Sequence, residues 1–252
     1  MISTVVVTFN EAGLLKDCLA SVVQESDEIV ILDLGSEDDT LKIAKSLQAK
    51  IFTHARVEYV EGVRDFAVAK AKGDWILVLD PDERMTPNLW KKLKEIISDD
   101  KYVAVKIPRK NIFFGHWIAH TNWWPDQHVR FFKKGKVSWL PKIHLYPKVD
   151  GQVLELSATE DLAMVHYGYQ SVNQFINRQS RYATIKAQNL YDEGMRFSWV
   201  SFFGNPVREF LVRYIRHLGF LDHFYGFALT YLMMVYQIEV QIKLWELKKN
   251  QT

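Results

Sequence analysis

Residues 74–83 read DWILVLDPDE, and this stretch decides the fold. Five apolar residues, Trp75 to Leu79, stand between Gly73 and Pro81, the pattern of a strand buried on both faces. The strand delivers Asp80, Asp82 and Glu83 at its carboxyl end. In an extended segment Asp80 and Asp82 point to the same side, a spacing suited to one Mg²⁺ or Mn²⁺ shared with substrate phosphates. D-x-D by itself recurs by chance, so its meaning depends on what surrounds it.

Upstream, strand and helix patterns alternate, which predicts a largely parallel sheet with helices on both faces. Ile2–Phe9 is β-branched and closes at Asn10, read as a helix cap with Glu11 in the first turn. Glu28–Leu34 is a second buried strand that closes in Gly35-Ser36 and brings Asp33 to its end. A short strand follows at Lys50–Thr53, then a helix ending at Lys72-Gly73, and Pro87 opens another helix reaching about Ile97. Ligands in such sheets bind beyond the carboxyl ends of the strands, where strand order reverses. Thr8, Asn10, Glu11, Asp33, Gly35, Asp80 and Asp82 all fall at that edge. One acid at a strand end is more often a helix cap. Four of them together, Asp33, Asp80, Asp82 and Glu83, repel one another and call for a cation. Arg64 is placed to pair with a diphosphate, with an ion pair to Asp65 or Glu61 as its structural explanation.

Length and composition fit this picture. At 252 residues the chain suits one large α/β domain with a small appendage, and 48% hydrophobic with 25% charged residues excludes disorder and fibrous rods. The lone Cys18 forms no internal bridge and points to a reducing compartment, while the opening MISTVVVTFN lacks the basic region of a signal peptide. Residues 1–100 carry 12 Lys/Arg against 19 Asp/Glu, and residues 101–148 carry 10 against Asp126 alone. An acidic half beside a basic stretch suggests a cation site next to a surface that prefers anionic material. No nucleic-acid module is visible, so nucleic acid is not expected as a partner.

After residue 100 the pattern changes to short strands (102–107, 128–133, 136–140, about 162–167) around an aromatic-rich loop at 111–126. Ser171 and Gln174 start a long helix that ends at Gly194, and helices around 205–218 and 221–248 complete the chain. The longest uncharged run, Phe224–Ile238, has 15 residues where a membrane span needs about 20.

VVVTFNEAGLLKDCLASV, DLGSEDDT and AKGDWILVLDPDE together resemble the family 2 glycosyltransferases, in the family's order and spacing. Three later stretches, PDQHVRFFKKGKVSWL, AMVHYGYQSVNQFINRQSRYATIKA and NPVREFLVRYIRHLGFLDHFYGFALTY, resemble the subgroup related to lipopolysaccharide-core glucosyltransferases. The resemblance implies a GT-A catalytic domain over residues 1–195 and a helical extension over 196–252. It implies an inverting, metal-dependent transfer from a nucleotide-diphosphate sugar to a glycan or lipid-linked acceptor of cell-surface polysaccharide or lipopolysaccharide type. Thr8, Asn10 and Glu11 would lie along the nucleotide, and Asp33 would bind the base, usually uracil. Asp80 would contact ribose and metal, and Asp82 would hold the Mn²⁺ or Mg²⁺ ion.

The subgroup's His-Glu is expected near Lys142-Ile143-His144, where this chain has Leu145 after the histidine. The catalytic base therefore falls to Asp126, beside Trp123-Trp124, or to Asp161 of the Glu160-Asp161 pair. A structural explanation for Asp126 is pairing with Arg130 or His128. His166 would lie near the metal, as a ligand or as a satisfied core histidine. Two alternatives stand beside transfer: a sugar-phosphate nucleotidyltransferase, which lacks its Gly-rich basic loop here, and a degenerate nucleotide-sugar-binding subunit. The expected location is cytoplasmic. For the aromatic tail, with Arg208, Arg213 and Arg216, three readings stand: a peripheral contact with the inner membrane face, a homodimer contact, or packing within the chain.

Overall fold

The computed structural model describes residues 1–57, 59–139 and 147–249. The first half holds β1 (Ile2–Thr8), α1 (Ala12–Ala20), β2 (Glu28–Asp33), α2 (Thr40–Ser46), β3 (Lys50–Thr53), α3 (Glu61–Lys70), β4 (Trp75–Leu79), β5 (Glu83–Arg84) and α4 (Pro87–Asp99). There follow β6 (Ala104–Phe113), β7 (His116–Trp117), β8 (Asp126–Lys133), β9 (Val137–Ser138), β10 (Lys148–Val149), β11 (Val153–Glu155) and β12 (Met164–Tyr169). Three helices close the chain: α5 (Val172–Asp192), α6 (Trp199–Phe210) and α7 (His223–Lys249).

The main sheet runs β3-β2-β1-β4-β8-β6-β12-β5. Strands β1 to β4 pair in parallel, as the alternating pattern predicts, with Thr8 opposite Asp33 and Val6 opposite Leu79. Beyond β4 the pairing is mostly antiparallel, β8 with β4 and with β6, while β11 joins β6 in parallel, so the whole is an α/β mixed sheet rather than a largely parallel one.

Alternate strand residues feed two cores. Val6, Ile31, Leu77 and Leu79 pack with Leu15, Leu19 and Trp90 on one face. Val5, Val7, Val30, Leu32 and Val78 pack with Val63 and Ala67 of α3 on the other. Burial on both faces explains why these strands read as unbroken apolar runs.

Asn10 is not the cap of α1. It sits at φ 53° while Glu11 takes the cap position, and the cap groups come from the next loop: Asp38 accepts from Ala12 N (3.1 Å) and Thr40 Oγ1 from Glu11 N (2.9 Å). Asn10 Oδ1 in turn accepts from Glu37 N at 2.8 Å, so the loops after β1 and β2 are laced together. Pro87 opens α4 and Ser171 caps α5, both as expected, and Thr86 supplies the cap of α4.

The chain forms two compact units, Met1–Lys110 with Asp126–His166, and Asn111–Pro125 with Tyr167–Thr252. The catalytic boundary placed at residue 195 is a functional division and differs from this one: by compactness, residues 167–195 group with the tail. In the second unit the aromatic stretch is not a plain loop, because residues 112–113 and 116–117 form a hairpin. Asp222, 3% exposed, accepts from Ala119 N, His120 N and His120 Nδ1 at 2.9–3.1 Å. Gly219 and Gly226 allow the tail to fold this closely: a Cβ at Gly226 would lie 1.8 Å from the Gly219 carbonyl oxygen. Phe113, Ile118, Tyr169, Phe175, Leu229 and Met233 form this unit's core. The helix expected at 205–218 begins earlier, at Trp199, continues in π form over Leu211–Arg216, and carries Pro206 inside it.

Candidate active site

The carboxyl ends of β1, β2 and β4 gather three of the expected groups. Thr8 and Asp33 are register partners and nearly fully buried. Asp33 Oδ2 accepts from Gly35 N (2.9 Å) and Ser36 N (3.0 Å), a turn that Gly35 completes at φ 91°. Asp33 Oδ1 and Thr8 Oγ1 are buried and have no hydrogen-bond partner among the described residues. Leaving such an oxygen unsatisfied costs about 1–3 kcal/mol.

At the end of β4 the backbone closes on itself: Asp80 N donates to Glu83 Oε2 and Glu83 N to the Asp80 carbonyl, both at 2.9 Å. Asp80 does not present its carboxylate to the crevice unaccompanied. Oδ1 accepts from Arg64 Nη2 at 2.8 Å and Oδ2 from Arg130 Nη2 at 2.6 Å. Burial alone would raise the Asp80 pKa, but the Arg130 and Arg64 charges outweigh it and hold the carboxyl well below its usual range. Arg130 also donates to Glu83 Oε1 at 2.5 Å, and Arg109 approaches the same oxygen at 3.4 Å. Glu83 is fully buried beneath the site.

These contacts change two expectations. Arg64 is 6% exposed and pairs with Asp80, not with Asp65 or Glu61 at the surface; Asp65 instead accepts from Trp139 N. The repulsion expected among the strand-end acids is met in part by guanidinium groups, at Asp80 and Glu83. Asp82 has His166 as its neighbour, Nε2 to Oδ2 at 3.5 Å, brought there by the antiparallel pairing of His166 with Glu83. Among the described residues no group of three or more His, Cys, Asp or Glu is arranged to hold a metal. Asp82 with His166 is a two-donor set.

Asp126, His128 and Arg130 lie at alternate positions of β8 and so share one face. Asp126 Oδ2 accepts from Arg109 Nε (2.9 Å) and Nη2 (2.6 Å), and Oδ1 meets His128 Nε2 at 2.8 Å. The structural explanation offered by the sequence is thus half met: His128 is a partner, but Arg109 stands where Arg130 was expected. Burial would raise the Asp126 pKa, yet the His128 hydrogen bond and the Arg109 charge bring it well below the usual range. A carboxylate held on both oxygens is a weak proton acceptor. His128 is itself pushed below its ordinary value by burial and by the Arg109 and Arg130 charges.

Asp161 is exposed on the 3₁₀ turn Glu160–Leu162, with its carbonyl accepting from Thr86 Oγ1 at 3.2 Å. Glu160 pairs with Lys110. Asn10 and Glu11 follow β1 directly, Asn10 exposed and Glu11 half-buried. Lys142, Ile143, His144 and Leu145, where the subgroup's His-Glu was sought, lie outside the described residues. Sequence reading missed Arg109, and it set Arg130 beside Asp126 where the structure sets it against Asp80 and Glu83.

Comparison with known proteins bears on this arrangement. The profile described as "Glycosyl transferase family 2" matches residues 3–149, more than half of the chain and all of the site except Asp161 and His166. An uncharacterised glycosyltransferase of Rickettsia typhi is 26% identical over 237 residues, covering 90% of this chain and 80% of that protein. Staphylococcus aureus TarS, a solved structure, is 17% identical with a TM-score of 0.45, over 73% of this chain and 39% of its own. Mycobacterium tuberculosis glucosyl-3-phosphoglycerate synthase, solved with Mn²⁺, UDP-glucose and phosphoglyceric acid, is 21% identical with a TM-score of 0.37, over 44% of each chain. This chain thus spans less than half the length of either solved structure.

Proposed function

The chain belongs to glycosyl transferase family 2, and from that premise we propose that its donor is a uridine-diphosphate sugar seated beyond the ends of β1, β2 and β4. It is a nucleotide-sugar-dependent glycosyltransferase with the GT-A fold, which sets aside the nucleotidyltransferase and degenerate-subunit alternatives. The observation that carries the donor reading is Asp33 Oδ1, buried without a hydrogen-bond donor beside Thr8 Oγ1. The imide N–H of uracil is such a donor, at the place where sheets of this kind bind nucleotides. Thr8, Asn10, Glu11 and Gly35 would then line the nucleotide.

Asp82 and His166 offer a carboxylate and an imidazole, donors that suit Mn²⁺. Two protein ligands are enough where diphosphate oxygens and water complete the sphere, the usual situation for Mg²⁺ and Mn²⁺ beside phosphates. When bound, the cation compensates the charge of the departing nucleotide diphosphate. Asp80 supports the same loop from its two arginines and contributes to the ribose side. Asp161 takes the proton of the acceptor hydroxyl, because Asp126 already has both oxygens bound. The hydroxyl oxygen attacks the anomeric carbon as its bond to the diphosphate breaks on the opposite face, so the configuration inverts.

The acceptor reading is a glycan or lipid-linked acceptor of lipopolysaccharide-core type, resting on the likeness of residues 125–140, 163–187 and 205–231 to that subgroup. A cytoplasmic location belongs to the same reading, on the lone buried Cys18. The test is a panel of nucleotide sugars incubated with the protein and Mn²⁺. Slow hydrolysis of a UDP-sugar, absent without metal, is the expected result. No measurable affinity for uridine diphosphate would contradict the reading.

A further inference from the structure

The second unit leaves two long apolar stripes uncovered. On α6 and its π continuation, Val200, Phe203, Val207 and Leu211 are each more than half exposed, at spacings of three, four and four residues. On α7, Phe224, Phe227, Tyr231 and Val235 repeat the same spacing and are exposed as well. Helical periodicity puts each set on one face. Phe203 at 64% and Phe224 at 75% are not scattered surface residues, since each has apolar neighbours one turn before or after it. The opposite faces of α7 do ordinary packing, with Leu229, Met233, Val240 and Leu244 buried. Packing within the unit therefore uses one face of α7 and leaves the stripes over.

The charges around the stripes have one sign. From residue 196 to 249 the exposed charged residues are Arg196, Arg208, Arg216, Lys248 and Lys249 against Glu246 alone. The other acids are occupied inside the unit: Glu209 by Arg213 and Gln237, Asp222 by His120, and Glu239 by Ser180 and Lys243. No single described helix is long and apolar enough to cross a membrane, while Trp199–Arg216 and Gly219–Lys249 together reach that length and hydropathy with a 75° bend between them.

We propose that α6 and α7 form a docking surface for an anionic lipid bilayer, lying in the headgroup boundary with the Phe203 and Phe224 stripes toward the acyl chains. Interfacial helices of this kind combine an apolar face with cationic residues that reach headgroup phosphates. A second copy of the chain is the poorer occupant, because its matching face carries the same cationic excess, with no exposed acid between Arg196 and Glu246 to answer Arg208 and Arg216. The proposal does not depend on the donor reading, which is tested in solution without lipid.

The full chain is floated with vesicles of phosphatidylcholine alone and of phosphatidylcholine with phosphatidylglycerol. Binding is expected to the anionic vesicles, to weaken as salt is raised, and to be slight on the neutral ones. Phe203→Ser with Phe224→Ser should lower vesicle affinity by tenfold or more. Arg208→Ala with Arg216→Ala should lower it roughly fivefold per arginine. All four positions are exposed, so circular dichroism and uridine diphosphate binding should stay as in the wild type. A protein that stays unbound with anionic vesicles at low salt overturns the proposal. So does light scattering that shows a lipid-free dimer dissociated by the two phenylalanine changes.

Discussion

Arg130 Nη2 lies 2.6 Å from Asp80 Oδ2, which ties the antiparallel strand β8 to the acidic loop at the end of the parallel strand β4. The same nitrogen reaches Glu83 Oε1, and all of this happens at a guanidinium only 5% exposed. The first acid of the D-x-D is therefore set by the antiparallel half of the sheet. Breaking a buried ion pair on one side strands the other charge, at a cost of about 3–5 kcal/mol. Arg130→Ala should unfold at clearly lower urea concentration than the wild type. Arg130→Lys keeps the charge but loses the planar fork, and should fall between the two.

Asp33→Ala should weaken uridine diphosphate binding more than it lowers kcat, because a contact to the base is shared by ground and transition states. A lost hydrogen bond of about 1–3 kcal/mol predicts a rise of roughly fivefold to a hundredfold in Kd by calorimetry. Unchanged affinity would remove Asp33 from the nucleotide site.

Asp126 provides a pH test. Its folded pKa lies below the ordinary carboxylate value near 4, so its stabilisation is fully present above that value, declines as pH falls below it and is gone only once pH has passed through the folded value. Asp126→Asn should cost about 2–4 kcal/mol at pH 7. The gap in Tm between it and the wild type should hold steady above about pH 5 and begin to narrow as the pH is taken below about 4. With Asp161 as the base, Asp126→Asn should keep the acidic limb of the wild-type rate profile, whereas Asp161→Asn should lower kcat by about 10²-fold or more.

Cys18 lies beneath the acidic loop, with Sγ 3.5 Å from the Asp80 carbonyl oxygen, and burial pushes its thiol well above the ordinary value. It should resist a thiol reagent at pH 8 in the folded protein and react fully in denaturant. Fast labelling of the native chain would mean that the loop opens.

The parallel half of the fold was legible because its strands are buried on both faces and each ends in turn-forming residues, as at Leu34-Gly35 and Leu79-Asp80-Pro81. The positions of Asp33 and Asp82 followed from that. Their partners did not. Arg109 and Arg130 come from strands read as short and isolated, and their pairing with Asp126, Asp80 and Glu83 depends on a register that local sequence does not fix. Asn10 escaped for a similar reason: its role is set by Glu37 and Ser36 of the neighbouring loop, not by the helix that follows it.

The account's central claim is that the nucleotide crevice and the cation meet at Asp82. Calorimetric titration of uridine diphosphate into wild-type and Asp82→Asn protein, each with and without Mn²⁺, tests it most directly. The wild type should bind more tightly with Mn²⁺. The variant should keep the metal-free affinity and lose the gain from Mn²⁺, since the amide retains the shape and removes the charge. An equal gain from Mn²⁺ in both proteins would contradict the account.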